Sequence, residues 1–159
     1  LYEEFWKIYT QNDILPPQYI SEDAKILRCI IGDGTEICGE VENSIIGAGV
    51  TIKKGAVVKN SIIMKGTVIG EGAVVEKAII AENSVIGAGA VLGIGEEKVN
   101  RYRPDVYTGG LVTIGEDSII PDGVKIGKNT AIIGKTEAAD YPDGILESGE
   151  SIIKDGDEA

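Results

Sequence analysis

A repeat of seventeen residues leaves this chain very few ways to fold. Ser44-Ile-Ile-Gly-Ala-Gly-Val-Thr-Ile-Lys-Lys-Gly-Ala-Val-Val-Lys-Asn60 is followed by Ser61-Ile-Ile-Met-Lys-Gly-Thr-Val-Ile-Gly-Glu-Gly-Ala-Val-Val-Glu-Lys77, and then by Ala78-Ile-Ile-Ala-Glu-Asn-Ser-Val-Ile-Gly-Ala-Gly-Ala-Val-Leu92. Ile52, Ile69 and Ile86 fall in one column, Gly55, Gly72 and Gly89 in a second, and Val58, Val75 and Leu92 in a third. A fixed period of this length marks a solenoid, in which each unit buries its apolar face only against its neighbours.

Within each line the unit is about six residues. An aliphatic residue opens it, a Gly or polar pair follows, and a small or β-branched residue sits four places on, as in Ile31 and Thr35, Ile46 and Val50, Ile52 and Ala56, Ile69 and Ala73, or Ile86 and Ala90. The steps from 46 to 52 to 58 and from 63 to 69 to 75 are sixes, with a five-residue step closing each line. Three such units per turn predict a triangular prism with three flat parallel sheets, the hexapeptide type of left-handed parallel β-helix, an all-β fold. Its coil is an accepted exception to the right-handed crossover rule. The opening aliphatic points inward, and the small residue fits near a corner. Turn positions must accept left-handed backbone, which assigns that role to Gly47, Gly49, Gly66, Gly70, Gly72, Gly87 and Gly89, with Asn43, Asn60 and Asn83.

At 159 residues the chain is expected to be one domain. Its formal charge of −11, from 26 acidic against 15 basic side chains, argues against nucleic acid and anionic membranes as partners. No apolar run approaches the roughly 20 residues of a membrane-spanning helix, and no signal peptide opens the chain. Cys29 and Cys38 are too few for a disulfide framework, so they read as buried thiols of a cytoplasmic protein. The chain begins at Leu1 and its single methionine is Met64, so it reads as part of a longer polypeptide.

Residues 1–28 differ from the repeat. Leu1, Phe5, Trp6 and Ile8 mixed with Glu3, Glu4 and Lys7 read as the end of a helix, and Pro16-Pro17 favours an extended connector from an upstream catalytic domain. Every aromatic residue but those at 1–19 and 102–141 is absent, as a narrow prism without room for rings requires. The cluster at 1–19 reads as a cap on the first coil or a contact with the upstream domain. Residues 29–94 are the regular coils, with a short first coil, Cys29 to Asn43, that loses register at Glu40-Val41-Glu42. Residues 95–111 carry no aliphatic column and read as a loop excursion thrown out from one corner. The repeat resumes with clean sixes at Ile114, Ile120, Ile126 and Ile132. Residues 112–159 therefore hold the final coils, a polar connector from Lys135 to Gly144, a strand pair at 144–153 covering the open end, and a polar tail.

Chemistry is sparse. The sequence has no histidine, which removes the general base of hexapeptide acyltransferases and the zinc ligands of the related carbonic anhydrases. Gly-x-Gly pairs recur at coil spacing with no helix after them, so they are turns and not phosphate loops. Asp33, Glu71, Glu82 and Glu116 fall at turn positions, where exposure is expected. No catalytic, cofactor-binding or metal-ligating residue is assigned. The densest basic group is Lys98, Arg101 and Arg103 in the excursion, beside Tyr102 and Tyr107, and suits an anion, a sugar phosphate or a subunit contact.

Several phrases together carry a resemblance: Lys7-Ile-Tyr-Thr, Leu15-Pro-Pro-Gln-Tyr-Ile20, Val41-Glu-Asn-Ser-Ile45, Val74-Val-Glu-Lys-Ala-Ile-Ile80, Ile120-Pro-Asp-Gly and Asp140-Tyr-Pro-Asp-Gly. In this order, over nearly the whole chain, the sequence resembles the C-terminal region of bacterial ADP-glucose pyrophosphorylases (glucose-1-phosphate adenylyltransferases). The resemblance implies an upstream domain that joins ATP and glucose 1-phosphate, with Mg²⁺, into ADP-glucose and pyrophosphate for glycogen synthesis. It implies that the β-helix packs on that domain, helps assemble a tetramer and contributes to allosteric anion sites, and that the chain alone is inactive. Regulated members of the family carry a basic residue in the turn after Ala-Ile-Ile. Here that turn is Ala81-Glu82-Asn83, so a sugar-phosphate effector would have to use Lys98, Arg101, Arg103 or another group. Two alternatives are the matching domain of another sugar-nucleotide pyrophosphorylase, such as a mannose-1-phosphate guanylyltransferase, and a free-standing hexapeptide scaffold.

Overall fold

The computed structural model describes residues 14–154, so the helix end expected before Ile14 and the polar tail after Lys154 lie outside the described residues. Short strands wind into three parallel sheets, one of six strands and two of seven. The first sheet begins at Tyr19–Ile20 and runs through Glu36–Ile37, Thr51–Ile52, Val68–Ile69 and Val85–Ile86 to Ile119–Ile120. The second runs from Lys25–Leu27 to Ile145–Leu146, and the third from Ile30–Ile31 to Ser151–Ile153. All strand pairs are parallel, as a coil that returns to the same side each turn demands.

The core is a set of stacked aliphatic columns. Ile37, Ile52, Ile69, Ile86 and Ile120 line the first sheet with no more than 1% exposure, and Val41, Val58, Val75, Leu92 and Ile126 line the second. Ala56, Ala73 and Ala90, the small residues of the hexapeptides, are fully buried. Each buried isoleucine contributes roughly 2–3 kcal/mol relative to exposure, which is how a prism so narrow holds together. Buried serines tie the corner between the second and third sheets. Ser44 Oγ donates to Glu42 O at 2.7 Å and accepts the N–H of Ser61 at 3.1 Å. Ser61 Oγ repeats the pattern with Lys59 O and the N–H of Ala78.

Several details differ from the sequence reading. The helix starts at Tyr19, ten residues before Cys29, because Tyr19 and Ile20 already pair with Glu36 and Ile37. Glu40-Val41-Glu42 does not lose register; it pairs residue for residue with Val57-Val58-Lys59. The missing two residues are removed at the corner Cys38-Gly39, where the step from Ile37 to Val41 is four against six from Ile52 to Val58. That corner is so tight that a Cβ at Gly39 would collide with the carbonyl oxygen of Ala56. Asn43, Asn60 and Asn83 have the expected positive φ, of 47°, 51° and 55°, but Gly47, Gly70 and Gly87 do not. These three glycines are needed because the next coil lies against them: a Cβ at Gly70 would sit 2.6 Å from the backbone nitrogen of Ala88.

The ends also differ. Ile145–Leu146 and Ser151–Ile153 do not lie across the open end; they extend the second and third sheets by one more coil. On the first sheet that coil has only a single bridge, Ile119 with Lys135, followed by 3₁₀ turns at Ala138–Asp140 and Pro142–Gly144. Between these turns Tyr141 is 2% exposed and plugs the prism. Thr136 Oγ1 bonds Ile119 O and the Tyr141 hydroxyl, both at 2.6 Å, so the ring's one polar atom is satisfied. Cys29 and Cys38 are half-buried free thiols rather than fully buried ones. No helix of the described residues is long and apolar enough to cross a membrane.

Candidate functional site

No strand lies between Ile94 and Val112, and the excursion leaves the prism just after a shift of register between Leu92 and Ile94. Ile80 pairs with Ile114 and Leu92 with Ile126, a spacing of 34 that equals one coil of seventeen plus a seventeen-residue insertion.

Two buried asparagines fix the excursion to the last coils. Asn100 is 1% exposed. Its Nδ2 donates to Asn129 O at 2.8 Å and Ser151 Oγ at 3.1 Å, while its Oδ1 accepts the N–H groups of Tyr102 at 2.9 Å and Arg103 at 2.8 Å. Asn129, at 3% exposure and φ 54°, continues the corner of Asn43 and Asn60. Its Oδ1 accepts the N–H of Gly110 at 2.6 Å, and its Nδ2 donates to Lys98 O at 2.7 Å and Glu97 Oε1 at 3.3 Å. Neither residue was singled out in the sequence. For Asn129 the signal existed, since it opens the coil that follows a clean hexapeptide. For Asn100 there was none, because its partners lie 29 and 51 positions away.

The three basic side chains of the excursion do not stand as a free cluster. Lys98 Nζ pairs with Glu147 Oε2 at 3.2 Å and Arg101 with Glu150 Oε1 at 2.6 Å, both carboxylates on the last coil. Arg103 is exposed and has no ion-pair partner among the described residues. Both pairs are solvated, so each is worth only about 0–1 kcal/mol and leaves the cations open to exchange with a stronger anion. A cavity of about 310 Å³ opens beneath the excursion, with Glu97, Lys98, Pro104, Tyr107 and Asn129 in its walls. Its one acid and one base give it no net positive field. Lys77 and Glu97 crowd the same corner: the position a Cβ would take on Gly110 lies 3.6 Å from Lys77 Nζ and 3.5 Å from Glu97 Oε2. No group of three or more His, Cys, Asp or Glu side chains is placed to hold a metal ion among the described residues. What this arrangement offers chemically is an exposed loop surface on which Lys98 and Arg101 are paired with carboxylates and Arg103 is not.

Three parallel sheets, buried aliphatic columns and one inserted loop define a hexapeptide-repeat β-helix. The chain belongs to the family described as GlmU-like, C-terminal hexapeptide, whose profile matches residues 16–114. It is 68% identical over 157 residues, 99% of its length, to the glucose-1-phosphate adenylyltransferase of Lachnospira eligens. It is 50% identical over 153 residues to the enzyme of that name from Thermotoga neapolitana, and 37% over 157 residues to that from Acetivibrio thermocellus. The chain spans about 36–37% of the length of these relatives, covering 99%, 96% and 99% of itself. Among solved structures, the acetyltransferase domain of PglB from Neisseria gonorrhoeae matches with a TM-score of 0.50 at 22% identity, over 88% of this chain and 52% of that one. That likeness concerns the fold alone.

Proposed function

We propose that this chain is the assembly and regulatory β-helix of a cytoplasmic glucose-1-phosphate adenylyltransferase, whose catalytic domain makes ADP-glucose and pyrophosphate from ATP and glucose 1-phosphate. One observation carries the reading: the 68% identity is measured over 157 residues, an alignment that spans the Pro16-Pro17 connector and the excursion as well as the hexapeptides that any such helix shares. The family resemblance assigns Mg²⁺ to the upstream catalytic domain. The helix is a rigid spacer that joins subunits into a homo-oligomer, a tetramer by family resemblance. Its excursion presents Lys98, Arg101 and Arg103 either to an anionic sugar-phosphate effector or to a neighbouring subunit. An effector would displace Glu147 and Glu150 at little cost, because both pairs are exposed.

The test is pyrophosphate release by the full-length polypeptide that carries this chain. Turnover with ATP and glucose 1-phosphate is expected, with none from the 159-residue chain alone. Turnover with GTP and mannose 1-phosphate instead would replace the reading with a guanylyltransferase. A natural polypeptide no longer than this chain would leave only the scaffold.

A further inference from the structure

We propose that the short corner at Cys38-Gly39 is a binding notch for a small zwitterionic thiol, of the amino-acid or short-peptide kind, which becomes bonded reversibly to Cys38 by exchange with its disulfide. The same corner in the two neighbouring coils is built from four residues. Residues 21–24 on one side and 53–56 on the other each close in a turn, the N–H of Ala24 donating to Ser21 O at 3.1 Å and that of Ala56 to Lys53 O at 3.2 Å. Between them only Cys38 and Gly39 join Ile37 to Glu40. The flanking turns stand two coil spacings apart, about 9–10 Å, and the corner between them is sunk by the two missing residues. The result is a notch of about 240 Å³. Its floor is fixed, because the N–H of Cys38 donates to Ile52 O at 2.8 Å and Gly39 O accepts the N–H of Lys25 at 3.1 Å.

Charge of both signs lines this notch. Asp23, Lys25, Glu40 and Lys54 stand in its walls with Cys38. Glu40 is taken by Lys59 at 3.1 Å. Asp23, Lys25 and Lys54 form no ion pair among the described residues. Two ammonium groups and one carboxylate therefore stay open around a single hole, on a chain whose net charge is −11. They match a ligand that carries a carboxylate and an ammonium of its own. The two missing residues set its size, since the occupant fills the space that one or two residues take in the neighbouring corners. The other thiol is placed differently. Cys29 stands in the column of Ser44 and Ser61, and its Sγ donates to the carbonyls of Leu27 at 3.2 Å and Val41 at 3.4 Å. Cys38 Sγ has a long contact, 3.8 Å, with the exposed carboxylate of Glu36.

The step is thiol–disulfide exchange. Cys38 gives its proton to water, and the thiolate attacks one sulfur of the ligand's disulfide. The new S–S bond forms as the old one breaks, and the second half of the ligand leaves as a thiolate that takes up a proton. The disulfide is the only oxidant, and excess thiol runs the step backward. Ile37 and Val41 stay buried throughout, so the modification fills the corner and recharges the surface of the first coils while the core is untouched. The inference stands apart from the adenylyltransferase reading.

The test incubates the full-length polypeptide that carries this chain with cystine, with cystamine, which has ammonium groups only, and with dithiodiglycolate, which has carboxylates only. Peptide mass mapping follows the mixed disulfides at Cys38 and Cys29, and each native rate is divided by the rate in denaturant to remove intrinsic reactivity. At Cys38 this ratio is expected to be about ten-fold higher for cystine than for the other two, the combined effect of a few solvated ion pairs. Cys29 should show no such preference, and excess reductant should restore the original mass. Lys54→Gln and Asp23→Asn should each shrink the advantage of cystine. Equal ratios for the three disulfides would overturn the proposal and leave Cys38 an ordinary accessible thiol. So would an advantage that survives both substitutions. An absence of native reaction at Cys38 would overturn it as well, by showing that the assembled protein covers the corner.

Discussion

The side-chain amide of Asn100 donates to the main-chain carbonyl of Asn129 at 2.8 Å, and through this contact a seventeen-residue loop becomes part of a β-helix. The carboxamide makes four hydrogen bonds at 1% exposure, so it leaves several buried groups unpaired when removed. Asn100→Ala is expected to cost about 2–3 kcal/mol and to free the excursion. Urea unfolding gives the first number. Limited proteolysis should show new cleavage between residues 96 and 110, and an unchanged digestion pattern would mean the loop is held by other contacts.

The columns make adjacent residues behave oppositely. Ile86 is fully buried while its neighbour Val85 is 38% exposed. Ile86→Ala should destabilise by about 3–4 kcal/mol and Val85→Ala by less than about 1 kcal/mol. Comparable losses in thermal melts of the two variants would contradict the inward and outward assignment.

Gly70 and Gly72 are two places apart and required for different reasons. Gly72 has φ 66° with open space where a Cβ would go, so Gly72→Ala should cost about 1 kcal/mol and Gly72→Asn less. At Gly70 the next coil blocks any side chain, so both Gly70→Ala and Gly70→Asn should be severe and drive the coils apart. Denaturation midpoints of the four variants decide this, and rescue at Gly70 by asparagine would sink the steric account.

Burial pushes the Tyr141 phenol up from 10.0 to about 12, against a smaller opposing effect from its hydrogen bond to Thr136 and with Asp140 adding to the rise. The neutral phenol is thus favoured in the folded state. Its contribution is complete below the unfolded value near 10 and is lost as pH rises toward 12. Tyr141→Phe should flatten the alkaline limb of the stability profile while lowering stability at neutral pH through the lost bond to Thr136. Tyrosinate absorbance of the native protein should show one phenol titrating late; its absence would place Tyr141 in solvent.

At the terminal turn the backbone N–H of Glu137 and then Lys154 hold the Asp140 carboxyl below its ordinary 3.8. A depressed value means stability that is present above 3.8 and lost as pH falls through the folded value. Asp140→Asn should remove that part of the acid limb by lowering the neutral plateau slightly toward the acid value. Acid titration followed by circular dichroism compares the two proteins.

The sequence carried the coil because each hexapeptide is a local statement repeated. The inward column Ile52, Ile69, Ile86 and the positive-φ asparagines at 43, 60 and 83 needed only spacing and backbone preference to be read. Local rules failed where two coils touch. Gly47, Gly70 and Gly87 look like turn glycines, yet it is the neighbouring coil that requires them. Glu40-Val41-Glu42 looked out of register because the deletion sits immediately before it, at a corner whose tightness depends on Ala56. The basic group at 98, 101 and 103 was visible, but not that Glu147 and Glu150, almost fifty residues on, neutralise two of its members.

By itself the sequence determined the parallel prism, its period and its interior, because stacking the seventeen-residue repeat in register buries the inward aliphatic columns, such as Ile52, Ile69 and Ile86. The tertiary structure decided where the helix begins, that Tyr141 closes it, and that Asn100 and Asn129 bind the excursion to the last coils. Each of these depends on groups brought together from distant coils, and contact between them exists only once the chain has wound.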